Sequence, residues 1–99
     1  MQSVIDFPWK YKHLADSGQV SAGPCVLHTI TVNSLAAGAV VVTIYDNPAA
    51  AGNVIAVIDL TPTAAVDVAF GTLYFGIQCA TGLYASFSAA GGDITVTYK

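Results

Sequence analysis

Turn-forming residues recur so closely along this chain that no helix of ordinary length fits between them. Ala36-Ala37-Gly38, Asp46-Asn47-Pro48, Ala51-Gly52-Asn53, Thr61-Pro62-Thr63, Phe70-Gly71-Thr72, Ala80-Thr81-Gly82 and Ala90-Gly91-Gly92-Asp93 follow one another mostly at 5–10-residue spacing. The segments between them are rich in β-branched residues: Cys25–Val32, Ala39–Tyr45, Val54–Leu60, Val66–Phe70, Leu73–Cys79, Leu83–Ser88 and Ile94–Tyr98, with Gln19–Ala22 as a further candidate. The chain is therefore expected to be all-β, with seven to eight short antiparallel strands.

The side-chain pattern within these segments has the period of a half-buried strand. Ile94, Val96 and Tyr98 share one face while Asp93, Thr95, Thr97 and Lys99 share the other, and Leu83, Ala85 and Phe87 alternate with Tyr84, Ser86 and Ser88. Two segments depart from this pattern. Val41 and Tyr45 put apolar groups on the outer face of Ala39–Tyr45, and Val54-Ile55-Ala56-Val57-Ile58 is apolar on both faces, which predicts either a covered central strand or an interface. Strands of this length and spacing predict a single β-sandwich, jelly-roll or immunoglobulin-like, over residues 17–99, with a small closed barrel as the alternative. The immunoglobulin signature of two cysteines around a core tryptophan is missing, because the sole tryptophan, Trp9, precedes the strands.

Charge decides what such a domain can bind. Lys10, Lys12 and Lys99 are the only formal cations and six aspartates the only acids, so 9% of residues are charged and the net charge is -3. This is too little positive charge to neutralise phosphates or an anionic bilayer, so neither nucleic acid nor membrane is an expected partner. An exterior of Ala, Thr, Ser and Gly suits a permanent assembly covered by neighbours, or else a stable β domain with a low-charge surface. Met1-Gln2-Ser3-Val4-Ile5-Asp6 has no secretory pattern, and no segment approaches the ~18 apolar residues of a bilayer span, so a soluble product made in the cytoplasm is expected.

Residues 1–16 differ in kind from the rest. Phe7-Pro8-Trp9-Lys10-Tyr11-Lys12-His13 packs three aromatics, two of the three lysines and one of the two histidines into seven residues. Pro8 favours an extended Phe7 and has no N–H for a ladder, so the segment is expected as an extended N-terminal arm outside the main sheet. Its aromatics either fold over an open end of the sandwich as a lid or anchor a neighbouring subunit. Phe7, Pro8, Trp9, Tyr11 and His13, with His28 from mid-strand, are the candidate contact residues.

No chemistry is indicated. The aspartates lie mostly beside turns, His28 has the setting of a satisfied core imidazole or a contact residue, and nucleophile-elbow, phosphate-loop and metal motifs are lacking, so neither a catalytic site nor a cofactor is expected. Cys25 and Cys79 each fall in an expected strand. They read as small buried thiols, with a disulfide as the alternative; the 55-residue loop it would close corresponds to roughly 4 kcal/mol in the chain-entropy model. A binding module is the rival function, in which Tyr84, Tyr74 or Trp9 would stack on sugars beside acceptors such as Asp46, Asn47 and Asn53.

Taken in order, Ser21-Ala22-Gly23-Pro24, Leu27-His28-Thr29-Ile30, Tyr45-Asp46-Asn47, Thr81-Gly82-Leu83-Tyr84 and Asp93-Ile94-Thr95-Val96-Thr97-Tyr98 resemble a group of small all-β virion structural proteins of tailed bacteriophages, over roughly residues 17–98. The resemblance implies a non-enzymatic capsid decoration (cement) protein on the capsid exterior, with the major capsid protein and copies of itself, as a homotrimer, for partners. A head-fibre or tail/baseplate module is the alternative that it also implies. The Phe7–His13 segment lies outside the matched region, so the resemblance assigns it no role.

Overall fold

In a computed structural model, residues 9–61 and 71–99 are described. Among them the chain forms eight strands and no helix: β1 (Lys10–Leu14), β2 (Gly18–Ser21), β3 (Cys25–Ser34), β4 (Val41–Asp46), β5 (Asn53–Asp59), β6 (Gly71–Cys79), β7 (Leu83–Phe87) and β8 (Asp93–Tyr98). The expected strand Val66–Phe70 lies outside the described residues, as do Phe7 and Pro8.

The strands make two antiparallel sheets, β1-β8-β3-β6 and β2-β7-β4-β5, packed as a sandwich. Four of the pairings join β1 to β8, β2 to β7, β3 to β6 and β4 to β5. These are the rungs of one long antiparallel ribbon folded in half and rolled, so that alternate rungs fall in opposite sheets. That order is a jelly-roll and resolves the choice left open with the immunoglobulin arrangement.

Period-two alternation places the core. Leu27, Ile30, Val32, Ile94 and Val96 from the first sheet meet Val20, Val42, Ile44, Ile58, Leu83, Ala85 and Phe87 from the second in one buried cluster. Loop residues Ala36, Val40 and Leu60 plug one end of it. There the chain is tied by Ala36 N–H to the Leu60 carbonyl at 3.0 Å and by Leu60 N–H to the Val40 carbonyl at 2.9 Å. No buried side-chain polar atom among the described residues lacks a hydrogen-bond partner.

One expectation is corrected. Lys10–Leu14 is extended but is not outside the sheet: it is the outermost strand among the described residues, in register with β8 from Lys10 opposite Tyr98 to Leu14 opposite Ile94, and Leu14 is buried. The obstacle inferred from Pro8 ends one residue before the ladder's reach, since Lys10 onward has every N–H that pairing needs. Of the two readings of the doubly apolar Val54–Ile58, a covered central strand or an interface, the described residues show no covering strand. The segment belongs to β5, which pairs with β4 alone among the described residues, leaving Val57 63% and Val54 52% exposed.

Aspartates fasten the turns. Asp46 accepts the N–H groups of Ala80 (3.1 Å) and Thr81 (3.0 Å), and Thr81 Oγ1 donates to the Asp46 carbonyl at 2.7 Å, binding the β6–β7 turn to the end of β4. Asp59 Oδ1 accepts the N–H of Thr61 at 2.9 Å. The Thr81 and Ala80 N–H groups hold the Asp46 carboxyl below its ordinary value, and the Thr61 hydroxyl and N–H do the same for Asp59. A folded-state value below the unfolded one contributes stability that is complete above the unfolded pKa of ~4 and vanishes as pH falls through the folded value. The thermal midpoint should therefore hold through mildly acidic pH and drop below about pH 4. Asp46→Asn, which keeps an acceptor and removes the charge, should flatten that drop; an acid limb of unchanged steepness in this variant would refute the assignment.

Candidate functional face

The outward side of the β1-β8-β3-β6 sheet gathers Trp9, Tyr11 and Tyr74 with both histidines. Residues directly opposite in an antiparallel ladder share a face. Tyr11 and Thr29 both lie opposite Thr97, His13 and Thr31 lie opposite Thr95, and Tyr74 lies opposite Thr29. All of these therefore project away from the core that Ile94 and Val96 enter.

A bulge completes the arrangement. Between Leu27 and Thr29, β3 carries one more residue than β8, and between Ile77 and Tyr74, β6 carries one more than β3, with Gly76 at φ 62° absorbing the second irregularity. The extra residue on β3 is His28, which the bulge turns outward beside Thr29. Its ring stacks on Trp9 with centroids 4.0 Å apart and planes 13° from parallel, and it meets Tyr74 edge-on at 6.4 Å. Lys99 Nζ stands over the Trp9 ring, 5.5 Å from its centre. Tyr74 is 78% exposed, Tyr11 72% and Trp9 39%, so the rings form a platform open to solvent.

Polar groups knit the remainder of the face. His13 Nε2 lies 2.6 and 2.7 Å from the two Asp93 oxygens, and Asn33 Nδ2 donates to Asp93 Oδ1 at 2.8 Å and to Thr95 Oγ1 at 2.9 Å. The Asn33 amide holds the Asp93 carboxyl below its ordinary value; burial opposes it, and the His13 ring adds to the lowering. Thr29 and Thr97 hydroxyls are 2.5 Å apart, and those of Thr31 and Thr72 are 3.0 Å apart. The Thr97 hydroxyl also accepts the Thr29 N–H at 3.1 Å and lies 3.3 Å from His28 Nδ1. This imidazole–hydroxyl contact fixes the position of His28 beside Thr97. The face is a plane of rings and hydroxyls.

Trp9, Tyr11, His13 and His28, singled out from two separate stretches of sequence, thus share one face; Phe7 and Pro8 fall outside the described residues. Trp9 and Tyr11 lie against the sheet's outer side and not over an open end of the core. Lys99 and the Asn33–Asp93 pair were not singled out beforehand, and the period-two alternation of Asp93–Lys99 is the signal that could have placed them here. The polar cluster imagined for a sugar site assembles only in part. Asp46 lies opposite Asn53, next to the Tyr45–Tyr84 pair, yet its carboxylate is occupied by the β6–β7 turn, and Asn47 Oδ1 accepts the Ala49 N–H at 3.0 Å. No group of three or more His, Cys, Asp or Glu placed to hold a metal ion occurs among the described residues.

Comparison with protein-family models, with curated proteins and with solved structures yielded no match to this chain.

Proposed function

We propose that this chain is a non-enzymatic virion structural protein, a capsid decoration protein that associates with copies of itself and with the major capsid protein on the outer lattice. The observation that carries the reading is the exposed platform of Trp9, Tyr11, His28 and Tyr74 on a chain with 9% charged residues. Aromatic side chains on a rigid sheet lose little conformational entropy on contact and dominate interface energies, and depletion of charge marks surfaces that stay covered. The jelly-roll supports the reading only as an analogy, since virus-shell and lectin domains both use it. Stabilisation would be mechanical, from apolar area buried between subunits at ~25 cal/mol/Å² less the cost of association, repeated at many lattice sites.

Light scattering coupled to size-exclusion chromatography tests the self-association. The intact chain should run as a homotrimer, and the double variant Trp9→Ala, Tyr74→Ala should run as a folded monomer that still unfolds cooperatively, because neither ring is in the core. Removing residues 1–16 is the poorer test, since it deletes β1 and the buried Leu14. Quantitative mass spectrometry of particles purified from an infected lysate should find many copies per particle; their absence would overturn the virion placement.

A second reading, glycan recognition, is favoured by Tyr74 standing exposed next to the Thr31–Thr72 hydroxyl pair. It predicts a monomer whose Trp9 fluorescence changes with added oligosaccharide.

A further inference from the structure

Cys25 opens β3 and Cys79 closes β6, and the two are direct partners across the antiparallel ladder. Both are free thiols turned into the core, 8% and 0% exposed. Burial first, and then repulsion between two neighbouring thiolates, pushes the Cys79 thiol up to about 12. Opposed residues in an antiparallel pair have Cα atoms roughly 4.5 or 5.5 Å apart, and both spacings fall inside the ~4.4–6.8 Å that a disulfide spans.

We infer that Cys25 and Cys79 are a thiol–disulfide pair, oxidised within one chain by a small-molecule disulfide such as oxidised glutathione, and that the bridge locks β6 to β3. Cys25, the more accessible of the two, gives up its proton and attacks one glutathione sulfur, forming a mixed disulfide and releasing the first glutathione thiolate. Cys79 then loses its proton and attacks Cys25 Sγ, closing the protein bridge and expelling the second glutathione thiolate. The two protein thiols lose two electrons and two protons, and one glutathione disulfide becomes two glutathione thiols.

The fold gives this step its rate and its consequence. Burial keeps Cys79 protonated and shielded, so exchange is slow and waits on transient opening of the Cys79 end of β6, where β3 is its one strand partner among the described residues and the Asp46 bonds to Ala80 and Thr81 must also break. The bridge would enclose residues 25–79, including all of β4 and β5, and would fasten the edge strand at the end where Asp46 already holds the following turn. The inference is independent of the virion reading and would hold for any role of the domain.

The test uses the full chain, reduced, freed of reductant and then incubated with oxidised glutathione. It is next unfolded in N-ethylmaleimide and weighed intact. Two maleimide adducts are expected before oxidation and none after, on a monomer that has lost two hydrogens, with a thermal midpoint raised by roughly 10–20 °C and restored by dithiothreitol. Cys25→Ser and Cys79→Ser, treated alike, should show no rise. Persistence of both adducts, a bridge formed only between chains, or an equal rise in either single variant would overturn the inference.

Discussion

Replacing Leu27 with alanine should destabilise the domain by about 3–5 kcal/mol, a large part of the ~5–15 kcal/mol that holds a small domain folded. Leu27 is fully buried on the inner face of β3, with β8 on one side and β6 on the other. Its register partners are Tyr98 and Ile77, and a strand held by ladders on both sides cannot move inward to fill a void. The next residue is His28 in the bulge, so the cavity would open directly beneath the Trp9–His28 stack. Urea unfolding should show a lower midpoint with an unchanged slope. His28→Ala is the contrast: it should alter Trp9 fluorescence and cost far less stability, because His28 lies outside the core. A loss below about 1 kcal/mol for Leu27→Ala would mean that the site collapses freely and that the two sheets are not tightly packed there.

Gly82→Ala should cost about 3 kcal/mol, near the upper end of what overpacking usually does. A Cβ at this position would sit 2.6 Å from the Pro48 nitrogen and 2.9 Å from both Pro48 Cδ and the Ser21 carbonyl oxygen. Two of these are main-chain atoms from separate segments, so a rotamer change cannot relieve the overlap. The turn cannot retreat either, because Asp46 grips it through the Ala80 and Thr81 N–H groups and the Thr81 hydroxyl. Gly76→Ala separates crowding from backbone strain: Gly76 has φ 62° and open space around its Cβ position, so only the left-handed conformation is penalised, by about 1 kcal/mol. Equal losses for the two variants, measured by thermal or urea unfolding, would refute the close approach of Gly82 to the Pro48 turn.

Much of this architecture was legible in local sequence because its causes are local. Turn residues limit element length and period-two alternation sorts inner from outer side chains, so the segments that became β2 through β8 could be read off, along with the core positions Ile94, Val96, Leu83, Ala85, Phe87, Val42 and Ile44. The concentration of aromatics in Phe7–His13 was equally visible. Its partners were not, because Trp9 meets His28 and Lys99, and His28 in turn meets Tyr74, through pairings that span most of the chain.

What the sequence alone determined is therefore the class of the fold, the extent of its strands, the paucity of charge and the group of residues worth watching. Tertiary structure alone decided that the ribbon rolls into β1-β8-β3-β6 over β2-β7-β4-β5, that Lys10–Leu14 joins a sheet beside β8, that the apolar β5 has β4 as its one strand partner among the described residues, and that Cys25 faces Cys79. The physical reason is the range of the forces involved. Turn chemistry and side-chain alternation act over a few residues, whereas strand order and register are chosen by which apolar faces cover one another, a collective property of contacts between residues distant in the chain.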